Sequence, residues 1–155
     1  MIPSEEGDHG AKTEFRLRLP ADLDRLAEAR DFLATAFKSL GVDDTIGADL
    51  ALGIDEAITN IMVHGYRGGP GSIRLEVEPQ GSSLHIRIED SAPLFDPTTV
   101  VSPDLAQPLE QRPIGGMGIP LMRRTTDRLL YRVTPNGGNE LTMIKHHAVH
   151  TRHPA

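Results

Sequence analysis

The chain has no cysteine and no tryptophan, and only two tyrosines and four phenylalanines among 155 residues. Without thiols there are no disulfides, no thiolate metal ligands and no cysteine nucleophile. So few aromatic rings leave little from which to build a base-stacking platform. Basic charge is also short: 16 Lys and Arg stand against 22 Asp and Glu, a formal net charge of −6. That balance disfavours general nucleic-acid binding, which needs a positive surface to displace counterions. No apolar run approaches the ~20 residues that span a bilayer. The polar, acidic start, MIPSEEGDHG, lacks the basic-then-apolar order of a secretion signal. The expectation is a cytoplasmic protein with an aliphatic core and neither nucleic acid nor membrane as a partner.

What is present is patterned. Residues 1–12 read as a disordered arm, 13–146 as one domain, and 147–155 as a flexible, histidine-containing tail. Residues 13–19 alternate polar and apolar, as a half-buried strand does, and Pro20 ends them. Asp22 offers an N-cap to a helix carrying Leu23, Leu26, Leu33 and Phe37, which Gly41 closes. A second helix is expected from Asp43 or Asp44 to about His64, with Gly47 and Gly53 marking close approach to a neighbour. Strands follow at 72–78 and 83–89, then a proline-rich stretch to Ile114, a helix opened by Gly115-Gly-Met-Gly118, and strands at 128–134 and 140–146. The fold class is α/β, an α+β two-layer sandwich with a mixed, mostly antiparallel sheet and helices on one face.

Three segments carry candidate chemistry. Glu56, Asn60 and His64 recur at i, i+4 and i+8 and so share one stripe of the second helix. An Asn oxygen is a hard ligand suited to Mg²⁺, and a Glu can accept a proton. A solvated helix face is the plainer reading of the same stripe. Asp90 closes a strand ahead of a turn, where a carboxylate can accept a hydrogen bond from an exocyclic amine; an ordinary Asx turn explains it equally. Glycines 115, 116 and 118 enter a helix, so their backbone N–H groups can converge on an anion, although GGxG is common in loops. The run HHAVHTRH at 146–153 invites a metal reading, but no carboxylate or cysteine accompanies it. Arg123, Arg124, Arg128 and Arg132 form a basic cluster, read first as a solvated face and second as a dock for an acidic partner.

Taken together, DEAITNIMVHGY (55–66), DSAPLFDP (90–97), GGMGIPLMRR (115–124) and NGGNELTM (136–143) resemble the GHKL ATPase superfamily and its Bergerat-type ATP-binding fold. Within it the sequence looks most like the short anti-sigma factor serine kinases of the RsbW and SpoIIAB type, over roughly residues 13–146. The resemblance implies ATP and Mg²⁺ as cofactors. It makes Glu56 the general base and Asn60 the Mg²⁺ ligand, places Thr59 beside the nucleotide, and has Asp90 read the adenine amino group. Gly116 and Gly118 would bring backbone amides to the phosphates. Two departures stand out. Ala92 and Pro93 occupy the places where flexible glycine is usual, and Ile114 stands where related kinases carry an arginine, leaving Arg112 as the nearest candidate.

By the same resemblance the chain sequesters a sigma factor and phosphorylates a STAS-domain anti-anti-sigma protein, acting as a homodimer. The alternative is a nucleotide-responsive or kinase-inactive module that regulates by sequestration alone.

Overall fold

The computed structural model describes residues 14–100 and 118–150. Five strands form one sheet in the order β1-β2-β3-β5-β4: β1 (Phe15–Pro20), β2 (Ser72–Gln80), β3 (Ser83–Asp90), β4 (Arg128–Val133) and β5 (Asn139–Lys145). All four pairings are antiparallel, in keeping with the mostly antiparallel sheet expected and with no parallel pair among the described strands. Among the described residues three α-helices accompany it: α1 (Leu26–Ser39), α2 (Asp44–Asn60) and α3 (Gly118–Thr125). The α/β, two-layer class expected from the sequence is the class observed.

Local chemistry explains most boundaries. The Asp22 side chain accepts from the Asp24 amide at 2.9 Å, and the Asp43 side chain accepts from Thr45 at 2.9 Å, so both helical starts carry a polar cap. Gly41 takes φ of 71°, the left-handed conformation that ends a helix cheaply only in glycine. The β2–β3 hairpin turns on Gly81 and Ser82 alone, tighter than the four-residue turn expected.

Period-2 geometry then sorts the sheet into two faces. Leu19, Ile73, Leu75, Val77, Leu84, Ile86, Ile88, Leu141 and Met143 are buried and pack with Leu33, Leu50, Ile54, Ile58 and Met62 of the helical layer. The opposite face carries charge: Arg16, Arg74, Glu76, Glu78, Arg87, Glu89 and Glu140. At Gly53 a Cβ would lie 2.7 Å from Thr125 Oγ1 on α3, so the glycine does mark the close approach that its place in the helix suggested. The chain past β5 stays against the sheet for a few residues. Ala148 is buried, and the amides of Ala148 and Val149 both donate to Ser82 O. Among the described residues no helix is long and apolar enough to cross a membrane.

Candidate functional site

The second helix does not run to His64 as a regular α-helix. After Asn60 it widens into a π-turn, Ile61–Gly65, in which the Tyr66 amide donates to Ile61 O at 2.8 Å. Such turns persist where something holds them. Here Tyr66 supplies the hold, because its hydroxyl donates to Ser72 O at 2.8 Å and accepts from the Ser91 amide at 2.7 Å. The end of α2 is thereby tied to the turn that follows Asp90. Gly65 completes the junction. A Cβ there would come within 3.0 Å of Ala92 Cβ, so the methyl of Ala92 uses space that Gly65 leaves open. The alanine that stands in the usual glycine place is accommodated by a glycine on the facing segment.

This junction borders a cavity of about 320 Å³. Asn60, Ile61, His64 and Arg67 line it from the end of α2, Ile119 and Met122 from α3, and Tyr131, Asn139 and Leu141 from the sheet. Asp90 and the turn residues Ala92, Pro93, Leu94 and Phe95 complete the wall. Asn60, His64 and Asp90 therefore meet at one cavity. Glu56 and Thr59 are half-buried on α2 and are not among its lining residues. Gly118 opens α3 next to Ile119, whereas Arg112, Ile114 and Gly116 lie outside the described residues.

Asp90 reaches the cavity because it is in phase with Leu84, Ile86 and Ile88 along β3, and its direct partner on β5 is Asn139. Burial pushes its pKa above the ordinary carboxylate value, opposed by hydrogen bonds from Asn139 and from the Ala92 amide. Both bonds reach the same oxygen. Oδ1 accepts from Asn139 Nδ2 at 2.8 Å and from Ala92 N at 2.9 Å, and Oδ2 has no partner among the described residues. Asn139 is itself only 7% exposed. Its Nδ2 also donates to Ala92 O (3.1 Å) and Pro93 O (3.3 Å), while its Oδ1 accepts from Phe95 N (3.0 Å) and the Tyr131 hydroxyl. The sequence alone put Asn139 between two strands, in the NGGNELTM segment, and gave it no role at the site. A signal was available: Asn139 is in register with Leu141 and Met143, so a polar side chain was due on the buried face.

A carboxylate in the lining of a mostly apolar cavity suits a planar heterocycle bearing an amino group. The Asn60 amide on the same wall is a donor type that Mg²⁺ accepts. Among the described residues no group of three or more His, Asp or Glu could hold a metal on its own, so Mg²⁺ would take most of its ligands from phosphates and water. His146, from the histidine-rich end, has its Nδ1 2.9 Å from Ser83 Oγ. The basic cluster is partly engaged internally: Arg123 donates to Thr98 O and Val100 O, and Arg132 makes a two-pronged pair with Glu140.

Residues 19–145 match the family described as Histidine kinase-like ATPase domain. The chain belongs to this ATPase-domain family. It is 36% identical over 100 residues to the serine/threonine-protein kinase BtrW of Bordetella bronchiseptica, covering 64% of this chain and 70% of that protein. It is 26% identical over 137 residues to the serine-protein kinase RsbW of Bacillus thuringiensis, covering 86% and 84%. Among solved structures, the RsbU and RsbW domains of a Mycobacterium tuberculosis protein superpose with a TM-score of 0.61 at 16% identity, over 86% of this chain and 31% of that one. At that identity the superposition speaks for the fold alone. The resemblance to the RsbW-type kinases read from four sequence segments is thus matched by the family and by named relatives.

Proposed function

We propose that this ATPase-family chain is an anti-sigma factor with ATP-dependent protein serine/threonine kinase activity. It sequesters a sigma factor in one state and phosphorylates a STAS-domain anti-anti-sigma protein in the other. The observation that carries the reading is the convergence of Asp90 and Asn60 on one cavity within a family whose relatives are named serine kinases. Residues 13–146 form the kinase domain, flanked by the arm 1–12 and the tail 147–155, and the chain works as a cytoplasmic homodimer.

In this reading Asp90 Oδ2 accepts from the adenine amino group, while Ile61, Ile119, Met122 and Leu141 exclude water around the base. Asn60 holds Mg²⁺, which when bound neutralises phosphate charge. Thr59 assists from the neighbouring position, and the backbone amides of Gly116 and Gly118, with Arg112, face the phosphates. Glu56 accepts the proton of the attacking serine hydroxyl. The serine oxygen bonds to the γ-phosphorus as the bond to the ADP oxygen breaks, so catalysis rests on placement and charge.

The second reading, a partner-binding module without phosphoryl transfer, is favoured by one fact: Glu56 does not line the cavity. Incubation with γ-labelled ATP, Mg²⁺ and a STAS-domain antagonist separates the two. The kinase reading expects label on the antagonist, lost in Glu56→Gln with ATP binding retained, and lost in Asn60→Ala. ATP binding without any transfer by the wild-type protein moves the assignment to the sequestering module.

A further inference from the structure

Arg67 stands at the cavity with no part in the phosphoryl transfer described above. It follows the π-turn, and among the described lining residues it is the one side chain with a fixed positive charge. It also borders a second hollow, which Asp22 and Asp24 share. Neither acid takes it, since among the described residues Arg67 has no carboxylate within ion-pair distance. Other arginines are committed: Arg30, Arg87 and Arg132 to acids, and Arg123 to two backbone carbonyls. The backbone beneath Arg67 is strained as well as fixed. Its φ is 54°, in the left-handed region where a Cβ crowds the backbone, and Gly68 beside it has φ of 76°. Glycine would hold the first place more cheaply, as it does the second. The flanking amides keep the loop there: Tyr66 donates to Ile61 O at 2.8 Å, and Gly68 to Met62 O at 3.0 Å. An arginine kept in a strained place beside a cavity, without a carboxylate of its own, suits a bound anion.

Its place along the site decides which part of the ligand it meets. The neighbouring Tyr66 hydroxyl accepts from the Ser91 amide, so Arg67 belongs to the Asp90 end of the cavity. Glu56 lies in the other direction, one turn back along α2 from Asn60. We infer that Arg67 binds the α-phosphate of the nucleotide, the one joined to the nucleoside, and so holds ADP as firmly as ATP. This rests on the nucleotide-binding reading above. With the base on Asp90 and the transferred phosphoryl group at Glu56, the phosphate nearest Arg67 is the one that stays behind. A guanidinium grips phosphate oxygens through paired N–H donors. A contact kept from substrate to product adds affinity without favouring the transition state, so it governs nucleotide retention, not the phosphoryl step.

The test measures binding of ATP, ADP, AMP and adenosine, with Mg²⁺, by competition against a fluorescent ADP analogue. It compares the full-length wild-type chain with Arg67→Asn and Arg67→Gly, two residues that suit a left-handed backbone and carry no charge. In the wild type AMP binds about tenfold tighter than adenosine, the low end for a charge-assisted hydrogen bond. In both variants ATP, ADP and AMP each weaken about tenfold, and adenosine binds as before. An equal loss for adenosine marks a merely structural role and overturns the inference. Unchanged affinities overturn it too. A loss for ATP alone, or for ATP and ADP but not AMP, puts the arginine at a later phosphate and overturns the assignment. A wild type that binds ADP but prefers AMP no more than adenosine also overturns it, and that arm needs no variant. Failure of the wild type to bind ATP or ADP overturns the nucleotide reading itself.

Discussion

Arg87 and Asp90 stand three residues apart on β3, and the alternation of the strand sends them to opposite faces of the sheet. On the open face Arg87 meets Glu76 at 2.8 Å, Glu78 at 3.0 Å and Glu14 at 3.5 Å. On the helix-covered face Asp90 lines the cavity and is bonded through one oxygen, the other having no partner among the described residues. Both groups are partly buried, and burial acts against the charge of each. For Arg87 the neighbouring carboxylates outweigh burial and its pKa rises; for Asp90 burial outweighs the two hydrogen bonds and its pKa rises as well. The same direction therefore means opposite things: the arginine is held more firmly charged, and the aspartate is harder to charge. A group whose bonding capacity is filled by the fold serves the fold, and one left incompletely bonded beside a cavity is available to a ligand.

The largest effect that would sharpen this contrast is expected from Asp90→Asn. The new side chain can still accept from Ala92 and Asn139 through its oxygen, but it presents an amide donor where Oδ2 stood. ATP affinity should fall about 100-fold by calorimetry, the loss of a charge-assisted bond and its replacement by a donor facing a donor. The fold should not suffer. A carboxyl whose folded pKa lies above its ordinary value costs stability as pH rises through that interval, since the native state holds the proton more tightly than the unfolded chain. The melting temperature of Asp90→Asn relative to wild type should therefore climb from acidic to neutral pH. Equal ATP affinity in the two proteins would break the comparison.

Arg87→Met is the mirror experiment. It leaves Glu14, Glu76 and Glu78 clustered without their shared cation, and the expected loss is about 1–3 kcal/mol of unfolding free energy in urea titrations. ATP affinity should stay within experimental error. Tyr66→Phe falls between the two regions. It removes the hydroxyl joining Ser72 O to Ser91 N, so a loss of about 1 kcal/mol and a few-fold weaker ATP binding should appear together. The smallest effect belongs to His85, on the open face with Arg87. Burial holds its pKa below the ordinary 6.5, opposed by Glu78 and aided by Arg87 and His146. Its contribution is intact above that value and is lost as pH falls through the lowered one. His85→Gln should thus blunt the acid-side drop in melting temperature and leave ATP binding unchanged.

The fold was largely legible because its signals are local. Asp22 and Asp43 cap helices through amides two residues away, Gly41 closes α1, and the alternation of Leu84, Ile86 and Ile88 declares both a strand and its buried side. Asp90, Asn60 and His64 were legible as candidates because strand end and helix stripe are properties of spacing. The lining of the cavity was not. Asn139 lies 49 residues from Asp90 along the chain, and nothing near position 139 announces a partner at that distance. Gly65 and Ala92 are likewise 27 positions apart, so the space that one leaves for the other is invisible until α2 and the turn are packed. The regular helix expected through His64 yields to a π-turn because Tyr66 is held by Ser72 and Ser91, and both are remote from the helix pattern.

By itself, then, the sequence of this ATPase-family domain determined its elements, their caps, the buried face of each strand and the placement of an acid in register with that face. These follow from φ/ψ preferences and from periods of 3.6 and 2, which a chain carries before it folds. The tertiary structure alone decided that Asp90 meets Asn139 beside a cavity, that one of its carboxylate oxygens is filled, and that Arg87 on the same strand is closed by three acids. Hydrogen bonds between distant segments depend on the register in which strands pair and the depth at which a helix seats, and those are set by packing of the whole core.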